Sequence, residues 1–287
     1  MRTAQGWTDY ELIDATDGRR LERWGGYSLV RPDPQVIWKT GEINPKWKSA
    51  DAVYHRSKSG GGRWEYRRTV PKEWHIEWNG YIKLHVTPTG FKHTGVFPEQ
   101  AANWALYIDA INNAKRPIKV LNLFGYTGAA TAVCLKAGAS VCHVDASKGM
   151  VATAKRNAEL NGLADKPVRF LVDDCEKFIA REIRRKNRYD AIIMDPPSYG
   201  RGPSGEMWKL EDNIFDLTAM CRDVLSDDPL FFALNTYTAG LAPAASKYVV
   251  ASALGIPGEK ITAEEIGLNV TQSGLALPCG STVFVEF

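Results

Sequence analysis

Residues 118–131 constrain the fold more tightly than any other stretch. Residues 118–123 form an apolar, β-branched run, which reads as a buried strand. Gly125 and Gly128 punctuate the loop that follows, and residues 129–137 are small helix formers. Strand, glycine loop and helix together open a nucleotide-binding α/β unit. The glycines let the chain turn sharply and let a ligand come close to the backbone. The helix start points free N–H groups into the same space. The spacing is G-x-x-G, without the three glycines of a dinucleotide fingerprint, so the loop alone also fits a tight turn in another α/β protein.

With 287 residues the chain forms one large domain or two modest ones. No apolar run reaches membrane-span length, and residues 1–9 carry no signal-peptide core. The five cysteines, Cys134, Cys142, Cys175, Cys221 and Cys279, show neither a C-x-x-C pair nor zinc spacing. These features point to a reduced, cytoplasmic protein that binds no metal. The net charge is only +3, yet residues 46–72 concentrate Lys46, Lys48, Arg56, Lys58, Arg63, Arg67, Arg68 and Lys72 against Asp51 and Glu65. Oligomeric state leaves no sequence signal.

Residues 1–90 read as a small β-rich domain with turns at Asp17-Gly18 and Gly25-Gly26. Seven tryptophans crowd it: Trp7, Trp24, Trp38, Trp47, Trp64, Trp74 and Trp78. They fit core and cross-strand packing, or base stacking beside Lys and Arg in an RNA-contacting surface. Residues 57–62, Ser-Lys-Ser-Gly-Gly-Gly, read as a loop. Residues 80–100 lead into a helix over 99–113 with Pro98 at its first turn. Residues 91–287 form the second domain. Within it, strands are expected at 118–123, 140–145, 168–173, 189–194 and 229–236, with helices at 128–137, 149–161, 175–187, 211–225 and 242–254. This alternation means a parallel sheet covered by helices. Residues 261–268 and 281–287 follow as an antiparallel pair.

Ligands of open α/β sheets sit beyond the carboxyl ends of the strands. Phe124, Gly125, Tyr126, Thr127 and Gly128 follow the first strand. Asp145, Ala146 and Ser147 close the second, twenty residues after Gly125. Asp145 is placed to accept hydrogen bonds from ribose hydroxyls. Asp173, Asp174 and Cys175 follow the third strand, where an acid can meet an adenine amine, although Asp174 is also a good helix cap. Asp195, Pro196, Pro197, Ser198 and Tyr199 follow the fourth. Two prolines there fix the backbone and leave carbonyls free to hold a flat substrate.

These pieces, in this order, resemble class I S-adenosylmethionine-dependent methyltransferases. More narrowly, they are similar to bacterial methyltransferases that modify guanine or cytosine in large-subunit ribosomal RNA. The resemblance rests on Asn122-Leu-Phe-Gly-Tyr-Thr-Gly, Val144-Asp-Ala-Ser, Ala154-Lys-Arg-Asn-Ala-Glu-Leu-Asn-Gly-Leu, Asp174-Cys175, Asp195-Pro-Pro and the upstream Thr94-Gly-Val-Phe-Pro-Glu-Gln. It implies a Rossmann-like α/β fold with a seven-stranded sheet whose last strand is inserted antiparallel. It implies S-adenosylmethionine as cofactor. Phe124 to Gly128 would wrap its methionine part. Asp145, with Ala146 and Ser147, would hold the ribose, and Asp174 with Cys175 the adenine. Thr94, Phe97 and Gln100 would close over the site, and Asp195 to Tyr199 would face the methyl acceptor.

Cytosine-C5 enzymes of the family add a cysteine to the base ring from the fourth or fifth strand tip. Here those tips read Asp195-Pro-Pro-Ser198 and Asn235-Thr-Tyr237-Thr, without cysteine. The expected activity is therefore methylation of an RNA base, at nitrogen in preference to C5. The alternatives are methylation of a protein or small molecule, and a non-catalytic cofactor-binding RNA module.

Overall fold

Alternating apolar strands and one-sided helices build the second half of the chain. In the computed structural model, which describes residues 1–57, 61–90, 92–201 and 207–287, they run as follows. The strands are β1 (Lys119–Leu123), β2 (Ser140–Asp145), β3 (Val168–Val172), β4 (Ala191–Met194), β5 (Phe231–Thr236), β6 (Ile261–Asn269) and β7 (Ala276–Glu286). The helices among them are α1 (Ala129–Lys136), α2 (Lys148–Leu160), α3 (Cys175–Arg185), α4 (Leu210–Arg222) and α5 (Pro243–Leu254).

The strand order is β6-β7-β5-β4-β1-β2-β3. β1 to β5 are mutually parallel, and β7 lies antiparallel against β5, from Phe231↔Glu286 to Thr236↔Ser281. The seven expected strands with an inserted antiparallel strand are therefore present, and the two-residue strand Arg2–Thr3 follows β6 as the eighth of the sheet. The chain steps outward from β1 through β2 and β3, then restarts on the other side of β1 with β4. That reversal opens a crevice at the carboxyl ends of β1 and β4.

The chain divides into two compact units. One comprises Met1–Ala102 and Ile266–Cys279, and the other Asn103–Glu265 and Gly280–Phe287. In the second unit one face of the sheet packs Leu121, Ile192, Met194, Phe232 and Leu234 against Phe178 and Ile179 of α3 and Leu217 and Cys221 of α4. Tyr107 stacks on Phe231 with ring centroids 5.3 Å apart and planes 5° from parallel.

The first unit is β-rich. Tyr10–Thr16, Arg19–Trp24, Tyr27–Pro32, Ala52–Arg56 and Gly62–Tyr66 form one sheet in that order, and Trp74–Trp78 pairs with Ile82–Val86. Asp17-Gly18 and Asn79-Gly80 both take positive φ at the hairpin turns, the primed geometry that suits twisted strands. Arg2–Thr3 runs parallel to β6 at Ile266 and Gly267. Ile13, Leu21, Val30, Trp47, Ala50 and Val53 form its core cluster.

Six of the seven tryptophan indoles here donate inside the unit. Trp7 bonds Pro98 O, Trp38 Ala15 O, Trp47 Asp14 Oδ2, Trp64 Thr89 O, Trp74 Trp24 O and Trp78 Gln5 O. Trp24 is fully buried. These bonds show that the indoles serve the packing of this unit. Trp64, in particular, has its N–H spent and its ring edge-on to Tyr54. Lys58, part of the basic run, and the centre of the 57–62 loop lie outside the described residues.

Candidate active site

The loop after β1 is held in place by buried polar groups beneath it. Asn122 Nδ2 donates to Thr131 Oγ1 at 2.9 Å, and the Thr131 hydroxyl faces His143 Nδ1 at 2.9 Å. The Thr131 hydroxyl has one proton and two lone pairs, so the contact fits either tautomer of His143. His143 Nε2 is buried with no hydrogen-bond partner among the described residues. Burial holds His143 neutral, its pKa lowered to about 4. Gly125 rests directly on this ring. A Cβ there would lie 2.4 Å from His143 Cε1, so glycine is needed for close approach.

Phe124 and Tyr126 take positive φ, at 53° and 50°, which bends the loop around the β1 tip. Three cross-bonds fix the bend. Phe124 N donates to Cys175 Sγ at 3.3 Å, Tyr126 N to Asp145 Oδ2 at 2.9 Å, and Asn157 Nδ2 to Thr127 O at 2.7 Å. Gly128, at φ 78°, is the N-cap of α1 and offers no side chain to the leading N–H groups of that helix. Its missing Cβ also leaves room for Ala154 of α2, which a Cβ would approach to 2.7 Å.

Asp145 ends β2 half-buried. Its Oδ1 accepts from Ser147 N at 2.8 Å and its Oδ2 from Tyr126 N, one bond to each oxygen. Burial raises its pKa against these two backbone bonds. Ser147 caps α2 by accepting from Met150 N, and Ala146 is exposed beside it. Asp174 caps α3, accepting from Lys177 N at 2.9 Å. The neighbouring Cys175 is buried, and burial pushes its thiol pKa up.

Asp195 leaves β4 beside β1, its N–H facing Leu123 O at 3.4 Å. Pro196 is buried and Pro197 exposed. Ser198 Oγ accepts from Thr238 Oγ1 at 2.8 Å, so Ser198 is tied to the segment after β5 and does not project freely. Tyr199 is 52% exposed and opens a short ribbon, Tyr199–Arg201 with Met207–Lys209. From that ribbon Trp208 donates Nε1 to Pro197 O at 2.7 Å and sets its ring 5.6 Å from Phe124.

The parallel strands thus gather Phe124 to Gly128, Asp145 to Ser147, Asp174, Cys175 and Asp195 to Tyr199 at one edge of the second unit. Thr94, Phe97 and Gln100 belong to the first unit. There Thr94 is fully buried with its Oγ1 unpartnered, and Phe97 lies 5.4 Å from His93, ring to ring. Sequence reasoning missed Trp208 and the separate role of Asn157. Asn157 stands in the quoted Ala154-Lys-Arg-Asn motif, and Trp208 is one of two tryptophans beyond the front of the chain.

Residues 64–206 match the family model described as S-adenosylmethionine-dependent methyltransferase. The crystal structure of the S-adenosylmethionine-dependent methyltransferase from Agrobacterium tumefaciens superposes with a TM-score of 0.92. It is 35% identical, and the match covers 99% of this chain and 92% of that one. The chain belongs to the S-adenosylmethionine-dependent methyltransferases. Ribosomal RNA large subunit methyltransferase I of Tolumonas auensis is 34% identical over 170 residues, 59% of this methyltransferase and 39% of the relative. Ribosomal RNA large subunit methyltransferase K/L of Shewanella baltica is 36% identical over 124 residues, 43% of this chain and 16% of the relative. The matched stretches thus span well under half of these longer curated relatives.

Its cofactor is S-adenosylmethionine, and the donor set at the strand tips suits that ligand. A carboxylate with one lone pair left on each oxygen suits a ribose diol. A helix start without a side-chain cap suits a carboxylate. Among the described residues no helix is long and apolar enough to cross a membrane, and no group of three or more His, Cys, Asp or Glu could hold a metal.

Proposed function

We propose that this methyltransferase modifies a nitrogen of a base in ribosomal RNA, in the cytoplasm. The observation that carries nitrogen over cytosine C5 is the state of the thiols. All five cysteines are buried, and none stands at Asp195–Ser198 or Asn235–Thr238. Burial raises the thiol pKa of each, against formation of the attacking thiolate. The names of the ribosomal RNA relatives support the substrate class.

S-adenosylmethionine supplies an electrophilic methyl group on its sulfonium. In this reading Asp145 accepts from the ribose hydroxyls, and Asp174 with the Cys175 segment borders the adenine. Phe124 to Gly128 and the first N–H groups of α1 surround the methionine part. Asp195 and the carbonyls of the rigid Pro196-Pro197 segment accept from the base, holding its nitrogen lone pair toward the donor. Catalysis is then mostly alignment, which needs no covalent enzyme intermediate. An exocyclic amine sheds a proton on transfer, and in this reading the Asp195 carboxylate accepts a hydrogen bond from it and orients it. Phe124 and Trp208 supply apolar surface beside that segment.

The test is incubation with methyl-labelled cofactor and undermethylated ribosomal RNA, followed by digestion to nucleosides and mass spectrometry. The expected product is an N-methylated nucleoside. Label in 5-methylcytidine would overturn the nitrogen assignment, and label confined to protein would overturn the RNA assignment.

A further inference from the structure

The segment after β4 is braced from outside its own backbone. Pro196 and Pro197 have no N–H, and their rings fix φ while leaving ψ to other contacts. The chain then enters a ribbon of three residues per strand, which pairs Tyr199↔Lys209, Gly200↔Trp208 and Arg201↔Met207. Among the described residues no further strand joins that ribbon. An isolated two-stranded pairing is marginal by itself, so its place depends on what its side chains hold. Directly opposed residues share a face, so Trp208 points the same way as Gly200 and is the one side chain of that pair.

Trp208 is half-buried and reaches two parts of the strand-tip site. Its Nε1 donates to Pro197 O at 2.7 Å, which sets the plane of the Pro197–Ser198 peptide and with it the ψ of Pro197. Its ring lies 5.6 Å from that of Phe124, tilted by 47°, and both rings pack against the same apolar core. Phe124 begins the loop after β1, where its N–H donates to Cys175 Sγ. Two other bonds steady the segment, Leu210 N to Ser198 O at 3.1 Å and Thr238 Oγ1 to Ser198 Oγ at 2.8 Å. Both hold Ser198, one residue beyond the carbonyl that Trp208 holds. The indole therefore links the Pro197 carbonyl to the cofactor loop through one rigid ring.

We propose, on the reading that Asp195 to Tyr199 face the methyl acceptor, that Trp208 is a positioning residue for methyl transfer. It fixes the Pro197 carbonyl and props Phe124, so the acceptor segment and the loop around the methionine part keep one spacing. A direct displacement depends on alignment, and a misplacement of about 1 Å costs roughly a hundredfold in rate. Loss of the indole N–H acts on the transfer step more than on the binding of either substrate.

The test compares Trp208→Phe, which keeps a ring beside Phe124 and removes the donor, with Trp208→Ala, which removes both. Single-turnover transfer from labelled S-adenosylmethionine gives the rate and the half-saturating RNA concentration, and calorimetry gives the cofactor affinity. Trp208→Phe is expected to slow transfer at least tenfold, with half-saturating RNA, cofactor affinity and melting temperature near the parent values. Trp208→Ala is expected to slow transfer further and to weaken S-adenosylmethionine binding at least threefold through Phe124. Amide exchange of Ser198, Tyr199 and Gly200, read by mass spectrometry on the cofactor-bound protein, is expected to speed up in both variants. A parent-like rate in Trp208→Phe, or a loss carried by RNA affinity or melting temperature instead, overturns the proposal. So does unchanged exchange, a measurement that needs no acceptor. Asp195→Ala separates this failure from failure of the acceptor reading. Parent-like turnover in Asp195→Ala would place the acceptor elsewhere and overturn both. Loss of turnover in Asp195→Ala with a parent-like Trp208→Phe would exclude Trp208 alone.

Discussion

Gly125 has no room for a side chain, and the obstacle cannot move away. His143, 2.4 Å from the position of an added Cβ, is fully buried and hydrogen-bonded to Thr131. Gly125→Ala therefore has to displace the ring, the hydroxyl and the loop together. Overpacking of this kind costs about 2 kcal/mol. Urea unfolding should show that loss along with weaker S-adenosylmethionine binding; a variant with the parent midpoint would mean the ring yields freely. His143 also makes the fold sensitive to acid. Its folded pKa is lowered to about 4 from an ordinary 6.5, so the unfolded chain binds a proton that the folded chain refuses. The neutral ring is accommodated at no proton cost above pH 6.5. Stability falls as the pH drops from 6.5 to 4, by about 3 kcal/mol over that window. His143→Asn keeps a hydrogen-bonding side chain facing Thr131 and removes the titration. Its stability should decline less between pH 6.5 and 4 than that of the parent, and parallel curves would exclude His143 as the source.

At the scale of elements, α2 pins the loop after β1. Asn157 is fully buried and donates to Thr127 O from thirty residues away. Asn157→Ala removes that bond, at a cost of about 0.5–1.5 kcal/mol. Asn157→Asp sets an acceptor against it and should be worse than alanine. Both variants should lower S-adenosylmethionine affinity in calorimetry, with aspartate lowest; aspartate matching the parent would sink this account of the loop. The contrast with the glycine loop shows what a sequence can and cannot display. The strands, Gly125, Gly128 and the acids at the strand tips were legible because each follows from a local pattern of apolar runs and turns. The caps at Ser147 and Asp174 were equally local. The Asn157–Thr127 bond and the contact of Trp208 with Phe124 join distant segments, and no local pattern reports them. The crowding of tryptophans was visible, but its purpose was not. Five of the indoles donate to backbone carbonyls, which look alike in every sequence.

On the scale of the whole molecule, the proposed division of labour assigns cofactor binding to the strand tips and phosphate contact to the first unit. The structure refines which basic residues are available for that contact. Arg67 spends its guanidinium on Glu65 and on the carbonyls of Trp47 and Lys48, so it serves the fold. Lys46, Lys48 and Arg63 are exposed, and Arg68 is 70% exposed with only a 3.7 Å approach to Asp51. Trp64 is committed internally, which leaves Tyr66, 52% exposed, as the aromatic beside them. Changing Lys46, Lys48, Arg63 and Arg68 to glutamate keeps Arg67 and every tryptophan in place. RNA binding to this variant, followed by filter retention across a salt series, should weaken. Each lost phosphate contact flattens the log–log salt slope by about 0.7 for a single strand, so the slope should fall by roughly 2–3. The rise in melting temperature with S-adenosylmethionine, which reports binding to the native state, should match the parent. An unchanged RNA affinity and slope in the folded variant would remove this surface from the contact. A lost cofactor response would show that the first unit takes part in holding S-adenosylmethionine, and the division of labour would fail.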